Sequence, residues 1–185
     1  THCISSAASD VYKRQALKQA ADQLGFQQKT GIEIGWEESV GLVGDEPWAD
    51  RGRGWAEPGT VPWIPEDMAS ASIGQSVVQI TPLQLARAYA VFANGGWLVT
   101  PHLAAGDIDW MSPEHRTKVA MKPSTLQTIR EGLRKVVEAG TGAGLNGPGI
   151  PAAAGKTGTA EDSTGGPDHA SVSYTHLTLP TICSV

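Results

Sequence analysis

Ala152-Ala153-Ala154-Gly155-Lys156-Thr157-Gly158-Thr159-Ala160-Glu161 is the most informative run in this 185-residue chain. Three alanines and a glycine leave little side-chain bulk, so neighbouring elements can approach closely, as along a thin strand. A cation, two hydroxyls and the bare Gly158 then follow without a break. A glycine inside a strand marks a place where a ligand or another backbone comes near. Thr157 and Thr159 alternate, so in a strand both hydroxyls face one side. Lys156 adds a compact positive charge. The run therefore predicts a small anion-binding, hydrogen-bonding surface on rigid backbone. A phosphate loop is the competing reading of Gly155-Lys156-Thr157, and its spacing fails. That motif needs a glycine five positions before Gly155, where Ile150 stands, with Gly149 one place too early. The helix that should follow is replaced by a stretch rich in glycine, serine and aspartate. A third reading is a glycine-rich surface hairpin with a solvated lysine.

Outward from this run, the sequence predicts helices that lead into it. Ser124 reads as a helix cap with Gln127 three residues on, and Leu126, Ile129, Leu133, Val136 and Val137 as the buried face. Gly140-Thr141-Gly142 stops that helix, and the loop from Ala143 to Pro151 carries the chain into the strand. The order predicts a helix packed on a sheet, with the Lys156 strand accessible. Further upstream, Thr81-Pro82-Leu83-Gln84 combines an N-cap, a proline at the first helical position and a capping-box glutamine. Leu85, Ala88, Tyr89 and Phe92 form its apolar stripe, and Asn94-Gly95-Gly96 ends it. Trp97 to Thr100 should be a short strand closed by Pro101. Tyr89 reads as core and His102 as a surface histidine.

Near the amino terminus, Leu17, Ala20, Ala21 and Leu24 share a helical face that Gly25 stops. Lys29 to Ile34 reads as a turn or brief strand. From Gly35 to Asp67 the periodicity dissolves, and Trp36, Trp48, Trp55 and Trp63 are scattered among glycines, prolines and charges, where they cover core edges. The adjacent Glu37 and Glu38 read as solvated carboxylates, not an acid–base pair.

The two ends carry a separate signal. Asp10-Val11-Tyr12-Lys13-Arg14-Gln15 can be encoded by DNA whose reverse complement, read two bases in, gives Val-Ser-Tyr-Thr-His, the sequence of Val172 to His176. An inverted repeat of this kind resembles the transposon end used to fragment DNA for sequencing. Residues 1–15 and 172–185 are therefore expected to be non-native flanks, and residues 16–171 the part to interpret. Both cysteines, Cys3 and Cys183, fall in those flanks, so neither a disulfide nor a cysteine metal site is supported. His102, His115 and His169 are too dispersed for a ligand set, so no metal or cofactor is implied. The net charge of -5 disfavours a nucleic-acid partner. The apolar content of 40% is near the globular norm. No run of about 18 apolar residues is present to cross a membrane.

Ala71-Ser72-Ile73-Gly74-Gln75, Thr81-Pro82-Leu83-Gln84-Leu85-Ala86, Ala93-Asn94-Gly95-Gly96 and Gly155-Lys156-Thr157-Gly158-Thr159 occur in this order. In order and spacing they resemble the transpeptidase domain of penicillin-binding proteins, and the class B, elongation-type group more than the bifunctional class A enzymes. Phe26 with Lys29-Thr30-Gly31-Ile32 is similar to the family segment that follows its second active-site motif. The resemblance covers nearly all of Ala16 to Ala170. It implies a partial α+β fold of the β-lactamase/transpeptidase kind, with a mostly antiparallel sheet flanked by helices. It implies serine acyl transfer on the D-alanyl-D-alanine end of peptidoglycan stem peptides, with β-lactams acylating the same serine. It also implies an inner-membrane anchor upstream, a domain outside the cytoplasm, and cell-elongation machinery as partner.

By this resemblance Lys156 supplies positive potential for the substrate carboxylate and helps manage protons near the nucleophile. The Thr157 and Thr159 hydroxyls bond that carboxylate, and Gly158 lets the substrate lie flat. The Thr159 N–H forms half of the oxyanion hole, where one donor contributes about 3–4 kcal/mol. The family also needs serine-any-any-lysine and serine-any-asparagine motifs. No serine here has lysine three positions later or asparagine two positions later. The expectation is a C-terminal part of the domain that is itself inactive. The alternatives are part of a serine β-lactamase or D,D-carboxypeptidase, or of a non-catalytic penicillin-recognising sensor or scaffold.

Overall fold

The computed structural model describes residues 13, 15–34, 38–43, 65–75, 78–104, 109, 111–147, 152–160 and 169–176. Trp36, Trp48, Trp55, Trp63 and Glu37 lie outside these, as do both cysteines. The chain divides into two compact units: Thr1–Arg87 with Thr100–Trp110, and Ala88–Val99 with Met111–Val185.

In the first unit, helix α1 (residues 15–23) carries a Lys18–Asp22 ion pair on its exposed side and buries Ala21. It ends as expected at Gly25, whose φ of 81° suits a residue without a Cβ. The chain then turns at Gln27, whose side-chain amide donates to the Val43 carbonyl. Lys29 to Ile34 adopts no strand. Strand β1 (Leu42–Val43) pairs antiparallel with β2 (Val78–Gln79), and α2 (Pro65–Ser72) precedes β2.

Helix α3 (Pro82–Ala93) starts with the full reciprocal box read from the sequence. The Gln84 N–H donates to Thr81 Oγ1 at 3.1 Å, and the Thr81 N–H donates to Gln84 Oε1 at 3.0 Å. Gln84 is fully buried and does more than cap. Its Nε2 donates to the carbonyls of Gln28 and Val40, both at 2.9 Å. Gly41 lies against this amide: a Cβ there would sit 2.6 Å from the Gln79 carbonyl oxygen and 2.8 Å from Gln84 Oε1. The expected stripe of α3 is corrected. Gln84, Ala88 and Val91, spaced by four and three, are its buried line, while Leu85, Tyr89 and Phe92 are half-buried beside it.

The second unit holds the end of α3, where Asn94-Gly95-Gly96 turns the chain with φ of 83° and 96° at the two glycines. Asn94 locks the turn, its side chain bonding both the N–H and the carbonyl of Trp97. Strands β3 (Trp97–Val99) and β4 (Arg116–Lys118) pair antiparallel. Helix α4 (Pro123–Ala139) is capped by Lys122 in extended conformation, without a side-chain cap bond. This corrects the expected role of Ser124: Pro123 is favoured at the first helical position and drives its predecessor to extended backbone, so the boundary falls before Ser124. Val137 is buried on α4, and Leu126, Ile129, Leu133 and Val136 are half-buried, along the expected face. Arg130 on this helix donates from Nε to the Phe92 carbonyl and from Nη2 to the Ala93 carbonyl, both at the carboxyl end of α3. A cation there also complements the helix dipole, by about 0.3–1 kcal/mol at exposed positions.

Two amide bonds converge on one acceptor after α4: the N–H groups of Gly140 and Gly142 both donate to the Val136 carbonyl. A Cβ at Gly140 would lie 2.9 Å from the backbone of Val136, so this tight exit needs glycine. A 3-10 turn (Ala143–Leu145) follows, and then β5 (Ala153–Ala160) pairs antiparallel with β6 (His169–His176). Every described pair of strands is antiparallel. With the helices, this is a partial α+β fold.

Candidate active site

Strand β5 packs against α4. Its first half is the thin part: Ala153, Ala154 and Gly155 are buried. At Lys156 the strand emerges, with Lys156, Gly158 and Thr159 exposed and Thr157 half-buried. The change from buried small residues to exposed polar ones anchors one end of the strand in the core and presents the other. All four residues singled out in the sequence, Lys156, Thr157, Gly158 and Thr159, lie on this one segment.

Lys156 Nζ donates to the Thr157 carbonyl, so the ammonium lies along the strand beside the motif. The Thr157 hydroxyl meets the Thr141 hydroxyl at 2.6 Å. Strand β6 runs alongside in register, with Thr157 opposite Val172, Gly158 opposite Ser171 and Thr159 opposite Ala170. Among the described residues β5 is paired along this edge only. An antiparallel ladder bonds alternate residues to each neighbour, so every second N–H of β5 faces the other edge. A cation, hydroxyls and outward amides on one strand can hold a carboxylate and polarise a carbonyl placed beside it.

Several titratable groups singled out in the sequence are not on β5. Glu38 is a correction: instead of being solvated, its Oε1 accepts the Thr30 N–H at 2.7 Å, and its Oε2 is buried. Burial acts to raise its pKa, but bonds from Thr30 and Gly31 and the charge of Lys29 outweigh this and hold it below the usual carboxylate range. Glu33 accepts the N–H groups of Leu103 and Ala104, bracing the chain after β3. His102 is exposed, with Nδ1 3.1 Å from the Ala104 oxygen. Tyr89 packs edge-on to Phe92, and burial pushes its hydroxyl pKa up, as suits a core residue. A groove of about 420 Å³ is lined by Gln127, Arg130, Glu131, Arg134, Lys135 and Glu138, all on α4 and none on β5.

Sequence reasoning missed Thr141, Gln84's long-range bonds and Arg130. The signal for Thr141 was present: a hydroxyl between two glycines, in the loop that delivers the chain to the motif strand.

Comparison with known proteins identifies the family. Residues 5–179 match the penicillin binding protein transpeptidase domain. The peptidoglycan D,D-transpeptidase MrdA of Acinetobacter baumannii is 34% identical over 151 residues, 78% of this chain and 21% of that protein. MrdA of Haemophilus influenzae is 30% identical over 154 residues, 74% of this chain and 22% of that protein. Among solved structures, the imipenem acyl-enzyme of penicillin-binding protein A from M. tuberculosis superposes with a TM-score of 0.61 and 26% identity. It covers 85% of this chain and 33% of its own. The chain thus spans about a fifth of the MrdA relatives and a third of that structure. By motif order, fold and sequence identity, the chain belongs to the penicillin-binding protein transpeptidase domain family, as a penicillin-binding protein 2-like member.

Proposed function

We propose that β5 is the substrate-recognition strand of a peptidoglycan D,D-transpeptidase. In this reading Lys156 and the Thr157 and Thr159 hydroxyls hold the terminal carboxylate of a D-alanyl-D-alanine stem peptide. Gly158 lets the peptide lie against the strand, and the Thr159 N–H stabilises the oxyanion. The observation that carries the reading is the exposure of Lys156, Gly158 and Thr159 on a strand whose preceding residues are buried. In the parent enzyme a serine oxygen attacks the penultimate D-alanine carbonyl and loses its proton to a base. Collapse of the tetrahedral adduct expels D-alanine, and an amine of a neighbouring strand then takes the acyl group and frees the serine. β-Lactams enter at the first step and stay attached.

The serine is supplied by residues outside this chain, because no serine-any-any-lysine run occurs in it. The chain alone is therefore inactive. An upstream inner-membrane anchor, a domain outside the cytoplasm and association with cell-elongation machinery complete the reading. A related solved structure is described as a peptidoglycan synthase complex coordinating polymerization and crosslinking, which supports the last point. We assign residues 1–15 and 172–185 to non-native sequence, on the inverted repeat their codons permit.

A fluorescent penicillin incubated with the purified chain, followed by denaturing electrophoresis, should leave no covalent label. A labelled band would contradict the assignment of the nucleophile. The natural gene upstream should encode both missing motifs; an intact gene without an acylatable serine would overturn the transpeptidase reading.

A further inference from the structure

We propose that Thr141 is a positioning residue for substrate recognition: its hydroxyl orients that of Thr157 toward the incoming carboxylate. The proposal rests on the reading of β5 as the carboxylate-binding strand. The two hydroxyl oxygens are 2.6 Å apart, a normal distance for an O–H···O bond, and either can be the donor. A threonine hydroxyl has one proton to give and two lone pairs to receive. A carboxylate only accepts, so once it binds Thr157 must donate to it. Thr157 can then only accept from Thr141. The bond that is directionless in the free protein becomes a one-way chain, Thr141 O–H to Thr157 Oγ1 and Thr157 O–H to carboxylate. Bonds arranged this way polarise and strengthen one another.

The backbone suits the role. Thr141 stands between Gly140 and Gly142, whose N–H groups both donate to the Val136 carbonyl, so the loop is tied to the last turn of α4 on each side of the threonine. Gly142 is itself buried, with Val136 beside it. The Thr141 side chain is exposed and Thr157 half-buried. Water can satisfy both hydroxyls when the bond is absent, so the pair adds little to fold stability. Its consequence is orientation: a lone threonine on a strand samples more than one χ1 well, and the partner selects one.

The test uses the whole chain, isotope-labelled, with Thr141→Val and Thr141→Ser variants. Three-bond couplings report the Thr157 χ1 distribution without any ligand. Amide shifts report binding of N-acetyl-D-alanyl-D-alanine and of its C-terminal amide. The proposal expects a single Thr157 rotamer in the wild type and in Thr141→Ser, and averaged couplings in Thr141→Val. It expects Thr141→Val to weaken binding of the free acid about fivefold to tenfold, the worth of one hydrogen bond. Binding of the amide should not change, and Thr141→Ser should bind the acid as the wild type does. An unaveraged Thr157 in Thr141→Val, or undiminished acid binding by that variant, overturns the proposal. A wild type with a fixed Thr157 that binds no acid refutes the reading of β5 instead, and the couplings still decide whether Thr141 orients Thr157.

Discussion

Two polar clusters in this molecule are built from the same side-chain chemistry and do opposite things. Around Gln84, the amide, the Thr81 hydroxyl and the Thr30 N–H are satisfied inside the protein: Gln84 and Thr30 are 0% and 2% exposed, and their partners are backbone groups and the Glu38 carboxylate. On β5, Lys156 and Thr159 are exposed, and the Thr157 hydroxyl shares one bond with Thr141, leaving lone-pair capacity unused. A buried cluster whose bonds go mainly to backbone groups fixes loops that are distant in sequence. A surface cluster with spare valences, carried on rigid backbone, adds little to stability and is poised to bind. The difference separates scaffold from site more sharply than residue type does.

Removing the buried cluster should have the larger thermodynamic effect. Gln84→Leu removes its bonds to the carbonyls of Gln28 and Val40 and to the N–H of Thr81, and each such bond contributes about 0.5–1.5 kcal/mol. Urea denaturation should therefore show a loss of about 3 kcal/mol. A loss below about 0.5 kcal/mol, the level of an ordinary surface change, would erase the contrast.

Glu38 sharpens the same contrast through pH. Its folded pKa lies below the ordinary carboxylate value of 4.5. The unfolded chain thus binds the proton more readily, and stability rises with pH through this window. The carboxylate's contribution is present above about pH 4.5 and is lost as pH falls through the lowered folded value. Thermal melting followed downward from pH 6 should fall more steeply in the wild type than in Glu38→Gln. Parallel curves would show that the Thr30–Glu38 bond carries no linkage.

Legibility in the sequence followed distance along the chain. The Thr81 capping box was readable because its partners are three residues apart. The other bonds of Gln84 reach 44 and 56 residues away, and no local pattern encodes them. At α4 the serine-to-glutamine spacing suggested a second box, but Pro123 moved the boundary one residue earlier, so steric restriction outweighed hydrogen-bonding preference. On α3 the apolar stripe was read from hydrophobicity, whereas a polar residue with all its bonds made took the deepest position. The candidate site was legible as composition, small residues giving way to Lys156-Thr157-Gly158-Thr159. Thr141 was marked in the sequence only as a hydroxyl between two glycines; its partner was not legible, because only the fold of the Gly140–Gly142 loop carries that hydroxyl to a strand residue 16 positions on.

The claim at the centre is that β5 recognises a D-amino-acid carboxylate. A wild-type amide-shift titration with N-acetyl-D-alanyl-D-alanine and with its C-terminal amide tests it most directly. The free acid should shift the amides of Gly158 and Thr159 in a saturable way, and the neutral amide should leave them nearly still. Equal responses to the two peptides, or acid-dependent shifts confined to residues away from β5, would contradict it.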